Sequence, residues 1–527
     1  MLIDLFIATQ ASTQAQLDQL NQNMERLIEQ VVIANHHRFG RKSEKLDVME
    51  GQLNLFNEAE KLTETLWVLE PPIEDVVKPK PKKSKGTRES DLKGLPVEII
   101  EHTLPDEELQ EMFGDSWKEL PIETYKRLRY TPAAYTVEEH QVHLYAGRDC
   151  ENNEIIVRAD RPTDLLRNSI ATPSLVSAIM NAKYVNGLPL YRIEQEFQRN
   201  DISVRRQVMA NWMIQCAERY LGLMYDRLHD VFLSLHIVQV DETTVKVSKD
   251  GRGAGSNSYM WVYRSGKHYR ETIILYNYQK TRNSSHAAAF LTKFSGICVS
   301  DAFSGYQKLD REIEEIRFAG CWSHARRRFS DALKALKDKS DARNTVAYEA
   351  LRQIAAIYKL DNELADKPPD EKLRERQLIV KPLVEAFFAW VKEKRNSELL
   401  LPKGKTAEGL DYCINQEQFL KVFLDHAEVP LDNNATESAL RGFVIGRNNW
   451  KLIDSIDGAK ASAIIYSITE TAKANKLNPY KYLNHLLTVI PQHMDDKSRD
   501  FLDDLLPWSE NLPAECYNQK AIQQATD

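Results

Sequence analysis

The sequence predicts an α/β protein whose strand-rich centre is flanked and followed by helices, and three observations carry that prediction. Between residues 236 and 301, short apolar runs recur with turn-forming residues between them, the pattern of buried strands. Residues 172–225 show the wider spacing of helices, as does a stretch of about a hundred residues after Phe318. The composition is that of a folded chain: 42% of residues are apolar and 28% charged, which are ordinary globular values. At 527 residues there is length for about three or four folding units.

The same arithmetic excludes several classes. No run approaches the ~18 consecutive apolar residues of a membrane span. The opening MLIDLFIATQ lacks the basic start and cleavage site of a signal peptide. Cys150, Cys216, Cys298, Cys321, Cys413 and Cys516 are scattered without a CxxC pair, which argues against a disulfide framework or a four-cysteine zinc site and fits a reducing cytoplasm. With 70 Lys and Arg against 77 Asp and Glu, the net charge is −7, so any nucleic-acid contact has to come from local patches.

Taken in chain order, Leu17, Leu20, Met24, Leu27, Val31 and Ala34 form a heptad seam. It suits self-association as a coiled coil, slightly favoured, or an amphipathic helix packed on its own protein. Residues 71–90 form a linker in which Lys78, Lys80, Lys82, Lys83, Lys85 and Arg88 stand without an acidic neighbour. Such a segment either slides on phosphates through counterion release or is a solvated spacer. Residues 97–161 suggest short strands and turns. LPLYRIEQEFQRN, a break at Asp201-Ile202-Ser203, and VRRQVMANWMIQCAERYL then predict a helix, a turn and a second helix. As a DNA reader, the second helix presents Arg205, Arg206 and Gln207 to a major groove; otherwise it is an ordinary helical pair. HIVQVD, SYMWVYRSG and ETIILYNYQKTR predict three successive strands, 284–294 a helix, and GICVSD a further strand. Residues 430–491 read as helical with a break at Asn478-Pro479.

Two of the apolar runs close on aspartate, Asp241 and Asp301, at the sheet edge where ligands collect. On neighbouring strands, two such carboxylates suit a shared hard cation; Mg²⁺ commonly takes one or two and completes its shell with water and phosphate. Each alone is more often a turn or cap residue. A third acid, Glu437, falls about one turn into the helix begun by PLDNNATESALR, on the same face as Arg441 at i+4. The bland alternative is a capping carboxylate paired with Arg441. Downstream, GRNNWK brings Arg447 and Lys451 with no acid between 441 and 451, which suits phosphate contact.

RFGRKSEKL followed by QLNLF, then LPLYRIEQEF, VDETTVKV, YMWVYRSG, SDAFSGY, CWSHARRRF, PLDNNATESALR, IGRNNW, YSITETAKANKLNPYKYL and LDDLLPW occur in this order. In that order they resemble the insertion-sequence-66 family of bacterial transposases, over nearly the whole chain. The resemblance implies an RNase H-like core with an Asp-Asp-Glu triad. VDET supplies Asp241, SDAFSGY supplies Asp301 and DNNATE supplies Glu437, 60 and then 136 residues apart. The long second gap contains the helical stretch and reads as an insertion. Cys321-Trp322-Ser323-His324 resembles the family's Cys-x-x-His word, which gives His324 a supporting catalytic role or, alternatively, makes it part of a buried Trp-His packing element.

The implied organisation is a coiled-coil helix over 8–45, a basic linker over 71–92, a degenerate zinc-finger-like module over 93–165, a helix-turn-helix-like DNA-binding segment over 166–228, a catalytic domain over 231–492 with a helical insertion at about 325–426, and a C-terminal tail over 493–527. The implied reaction is DNA strand cleavage and strand transfer, with Asp241, Asp301 and Glu437 holding two Mg²⁺ (or Mn²⁺) ions. No covalent protein–DNA intermediate is required. Arg205, Arg206, Arg326, Arg327, Arg328, Arg441, Arg447 and Lys451 would contact double-stranded DNA, the transposon ends and the target. The implied setting is the bacterial cytoplasm at the nucleoid, as a homo-oligomer joined by the N-terminal helix, with room for accessory proteins and no membrane. Two departures stand out. Many relatives carry paired CxxC knuckles, whereas here EMFGDSWKEL replaces the first pair and only Cys150 remains of the second. One thiolate cannot close a tetrahedral site, so no zinc is expected. Asn448 stands where relatives usually carry lysine. The rival readings are a same-fold nuclease or resolvase that cuts without joining, and a non-catalytic DNA-binding regulatory copy.

Overall fold

The structure, a computed structural model, describes residues 135–148, 154–159, 163–253, 255–301, 303–335, 342–397 and 404–518. All of them lie in one compact unit that spans Glu70–Asp527. The heptad seam, the basic linker, Cys150 and most of the module at 93–165 fall outside the described residues. What is described of that module is an antiparallel hairpin, β1 (Leu144–Arg148) and β2 (Glu154–Arg158).

Four helices follow: α1 (Pro173–Met180), α2 (Leu190–Arg199), α3 (Arg206–Cys216) and α4 (Gly222–Leu233). The α2–α3 turn contains Asp201 at φ 59, a left-handed conformation that aspartate tolerates better than most residues. These helices pack directly on the sheet. Met209, Leu221, Leu228 and Phe232 join one apolar core with Val240, Tyr263 and Ile465, so these helices are not a free-standing module. The Tyr225 hydroxyl donates to the Tyr276 carbonyl at 2.9 Å, and the Tyr184 and Ser462 hydroxyls are 3.2 Å apart.

The apolar runs become strands β3 (Ile237–Val245), β4 (Val247–Lys249), β5 (Ser258–Ser265), β6 (Ile274–Gln279) and β7 (Gly296–Ser300), with β8 (Ile316–Gly320) after them. Five form one sheet in the order β6-β5-β3-β7-β8. β3, β5 and β6 are antiparallel to one another in turn, while β7 and β8 run parallel to β3. Ile237, Val238, Gln239 and Val240 are all buried, as expected of a central strand covered on both faces. Gly296 starts β7 where a Cβ would collide with the His236 carbonyl, so only glycine lets the two backbones meet there. Helices α5 (Ser284–Phe290) and α6 (Ser304–Glu312) connect the later strands.

A run of helices begins directly after β8. Helices α7 (Trp322–Lys334), α8 (Val346–Glu363), α10 (Lys381–Arg395) and α11 (Lys405–Leu420) build a second apolar centre, and α9 (Pro369–Glu375), which buries no residue, joins α8 to α10. There the Trp322 ring lies 5.6, 5.8 and 6.2 Å from the rings of Phe387, Phe388 and Phe423. The chain then re-enters the main core through α12 (Asn434–Trp450), the short strand β9 (Ile453–Ser455) paired with β4, α13 (Ile456–Ala474) and α14 (Pro479–Val489).

Helix α13 closes the sheet edge. Ser467, Thr471 and Asn475, spaced by four, lie on one helix face. They accept from the backbone N–H groups of Tyr276 at 2.7 Å, Ile274 at 3.0 Å and Thr272 at 3.2 Å, which would otherwise offer an open edge. The Asn478 side chain caps α14, and Pro479 takes its first position, which accounts for the break read at that dipeptide. The described residues after α14 are packed and include a short helix, α15 (Phe501–Asp504). Leu502, Leu505, Leu512 and Cys516 are buried, and the Tyr482 hydroxyl donates to the Leu505 carbonyl at 2.7 Å. Four leucines within 502–512 and a buried cysteine carry too much apolar surface to stay in water. Among the described residues, no helix is long and apolar enough to cross a membrane.

Candidate active site

Asp241 lies in the middle of β3 rather than at its end, which corrects the expectation from HIVQVD. The strand runs on because β5 pairs with it as far as Val245. Its pairing with β7, however, stops at Gln239–Val299, and Asp301 follows the last residue of β7. The two aspartates therefore flank the point where these parallel strands part. The Asp241 carboxylate accepts from the Glu242 N–H at 2.8 Å, and that of Asp301 from the Phe303 N–H at 3.0 Å.

The third acid is brought in by a stitched turn. Asn433, fully buried, does not cap α12 with its side chain. Its amide instead donates to the Val240 carbonyl at 2.8 Å, next to Asp241, while its own N–H meets the Cys321 sulfur at 3.2 Å. Gln239 donates to the Asp432 carbonyl at 3.1 Å, and the Trp322 N–H to that of Leu431 at 2.8 Å. These bonds tie the start of α12, and so Glu437 in its first turn, to β3 and to α7. Replacing Asn433 with alanine should leave the buried Val240 carbonyl without its donor and lower stability by about 1–3 kcal/mol, read as a shifted urea midpoint.

The electrostatics of the cluster follow from this placement. Burial first, and then the charges of Glu242, Asp301 and Glu437, push the Asp241 carboxyl well above the usual carboxylate range. Glu242 is raised by burial and by Asp301. Cationic side chains answer this negative charge. Arg282 is ion-paired with Glu242 and lies 3.3 Å from Asp301, and Arg327 lies 3.1 Å from Glu437. His324 Nε2 is 3.9 Å from Glu437, and burial, with Arg327 beside it, lowers its pKa below the usual imidazole value. Its Nδ1 is buried without a hydrogen-bond partner. Among the described residues, no group of three or more His, Cys, Asp or Glu side chains is gathered closely enough to hold a metal ion. The donor chemistry nonetheless fits a hard divalent cation: the acids offer oxygen ligands, their mutual charge is partly desolvated, and guanidinium groups stand in as counter-ions.

Comparisons with known proteins give the chain a family. The family model described as "Transposase IS66 family" matches residues 168–461, more than half of the chain. The chain belongs to the IS66 family of transposases. "IS66 C-terminal element" matches residues 467–508, the packed segment around α14 and α15, and "Transposase C of IS166 homeodomain" matches residues 26–100. Three relatives from Sinorhizobium fredii (strain NBRC 101917 / NGR234), the uncharacterized proteins y4qI, y4jD and y4hP, are 29%, 26% and 24% identical. The matches cover 73%, 73% and 75% of this chain and 70%, 75% and 72% of the relatives.

Within this family member, the residues expected to meet DNA divide by environment. Arg205, Arg206, Arg327, Arg328, Arg441 and Lys451 are exposed, and Arg326 is half-buried. Arg206 lies over the exposed Tyr191 ring at 5.7 Å and Arg328 over Tyr412 at 5.5 Å. Arg447 turns inward, donating to the Thr243 hydroxyl at 2.9 Å and to the Thr244 carbonyl, and so braces α12 on β3. The ion-pair partner of Glu437 is Arg327 rather than Arg441. Glu242, Arg282, Tyr306, Gln239 and Asn433 were missed by the sequence reading. Glu242 directly follows Asp241 and Asn433 lies within the DNN word, so motif position alone pointed to both. Nothing in the sequence brought Arg282 to the site.

Proposed function

We propose that this IS66-family protein is an active transposase that binds the ends of its DNA element, cleaves the strands and joins them to a target, using Asp241, Asp301 and Glu437 to hold divalent cations. One observation carries the reading: a β3 residue, the residue after β7 and the first turn of α12 place three acids within electrostatic reach of one another. The antiparallel β3-β5-β6 meander extended by parallel β7 and β8 supports an RNase H-like reading of the core.

Held by these three acids, Mg²⁺ or Mn²⁺ would supply Lewis-acid activation of the attacking hydroxyl and charge neutralisation at the leaving oxygen. The chain's own groups prepare that chemistry. The Phe303 N–H fixes one oxygen of Asp301 and the Glu242 N–H one oxygen of Asp241, so each acid is oriented by backbone. His324 Nε2 stands 3.9 Å from Glu437, which suits a supporting role beside the acids. Arg327 and Arg328 on α7 and Arg441 on α12 are exposed on the helices that carry His324 and Glu437, where they would grip phosphates. Arg205 and Arg206 open α3, the helix proposed to enter a groove.

The test is incubation of the purified protein with a plasmid carrying the inverted repeats that flank its gene, in Mg²⁺ or in EDTA. Nicks confined to the repeat ends, followed by joined products and absent in EDTA, are expected. Cutting that never yields joined strands would favour a nuclease, and no cutting in Mg²⁺ or Mn²⁺ a regulatory copy.

A further inference from the structure

We propose that Arg282 is an internal counter-ion, which holds Asp301 while no divalent cation is bound and yields it when one binds. The proposal rests on the metal-binding role given above to Asp301. Arg282 lies in the connection between β6 and α5, and its guanidinium faces two carboxylates of unequal character. Glu242 is the fixed one. Its side chain is 1% exposed, one oxygen takes both Nε and Nη2 of Arg282, and the other accepts from the Tyr306 hydroxyl at 2.6 Å. Asp301 is the loose one, with a side chain 20% exposed and a single 3.3 Å contact. The guanidinium face lies 4.0 Å from the Phe303 ring, and that ring is packed so closely on Gly305 that a Cβ there would strike it. Arg282 is thus anchored on one side, shelved from below, and only lightly attached to Asp301.

This arrangement is suited to exchange. Arginine stays charged at any physiological pH, so the pair of acids is never left uncompensated in the metal-free protein. A partly exposed, single-contact ion pair is weak, so a divalent cation with water and phosphate in its shell can displace it. Because Glu242 and Phe303 keep the guanidinium in place, the released N–H groups remain beside the site with their charge available to a phosphate. Glu242, saturated by Arg282 and Tyr306, serves as the anchor and not as a cation ligand.

The test is Mn²⁺ binding to the full chain, followed by electron paramagnetic resonance, for the wild type, Arg282→Gln, Arg282→Lys and Asp301→Asn. Removing the competitor should tighten Mn²⁺ binding in Arg282→Gln by about fivefold, the equivalent of a weak ion pair. Arg282→Lys should bind as the wild type does, and Asp301→Asn far more weakly. Equal or weaker binding by Arg282→Gln, alongside the Asp301→Asn loss, overturns the counter-ion role. Mn²⁺ binding unaffected by Asp301→Asn overturns instead the metal-binding role of Asp301. If thermal melts show that Arg282→Gln does not fold, Phe303→Leu, which removes the shelf, should also tighten Mn²⁺ binding, and unchanged binding there overturns the proposal.

Discussion

Asp301→Asn is expected to abolish DNA cleavage while leaving DNA binding at its wild-type strength. The substitution keeps the shape of the side chain and the oxygen that accepts from the Phe303 N–H, but removes the charge that would hold a cation. Losing several kcal/mol of transition-state stabilisation, at 1.36 kcal/mol per tenfold, corresponds to a cleavage rate lower by roughly a thousandfold or more. On the proposed reading DNA binding rests on exposed Lys and Arg, whose charges this substitution leaves in place, so it should hardly change. Stability should hardly move, because the ion pair with Arg282 is single and partly exposed, worth about 0–1 kcal/mol. Gel retardation, a thermal melt and a nicking assay on one preparation separate these three outcomes.

The second large effect lies in the helices that follow β8. Arg376 is completely buried, and its guanidinium donates to both oxygens of Asp361 at 2.6 and 3.0 Å. Its remaining nitrogen donates to the carbonyls of Phe423, His426 and Val429 at 2.9, 2.6 and 3.1 Å. That stretch of backbone leads directly into Leu431, Asp432 and Asn433, the turn that delivers Glu437. Asp361→Ala leaves an uncompensated buried charge and should destabilise the protein by about 3–5 kcal/mol, measured by urea unfolding. Replacing both partners by apolar residues, Asp361→Leu with Arg376→Met, should recover only part of this, because three buried carbonyls then lose their donor.

How far the sequence could be read depended on what each residue was answering to. The central strands were legible because burial on both faces makes them continuous apolar runs, as in Ile237–Val240 and Gly296–Ser300. β8 was not, since IRFAG is short and exposes Arg317, so it offers neither a clean run nor a clean alternation. The α2–α3 break was visible at Asp201-Ile202-Ser203, but the packing of those helices into the sheet's core was not, since an apolar helix face does not say what covers it. Asp241 and Asp301 stood out as charges at the close of apolar runs, and Glu437 through its motif. Arg282, Gln239 and Arg447 act through contacts across 19 to 204 residues of chain, which no local pattern encodes.

The most direct measurement is a metal-preference switch at Asp301. In Asp301→Cys a soft thiolate replaces a hard carboxylate, which Mg²⁺ binds poorly and Mn²⁺ accepts more readily. If Asp301 ligates the working cation, this variant should fail to nick transposon ends in Mg²⁺ and regain cleavage in Mn²⁺, while the wild type works in both. Wild-type cleavage by Asp301→Cys in Mg²⁺ would contradict that role.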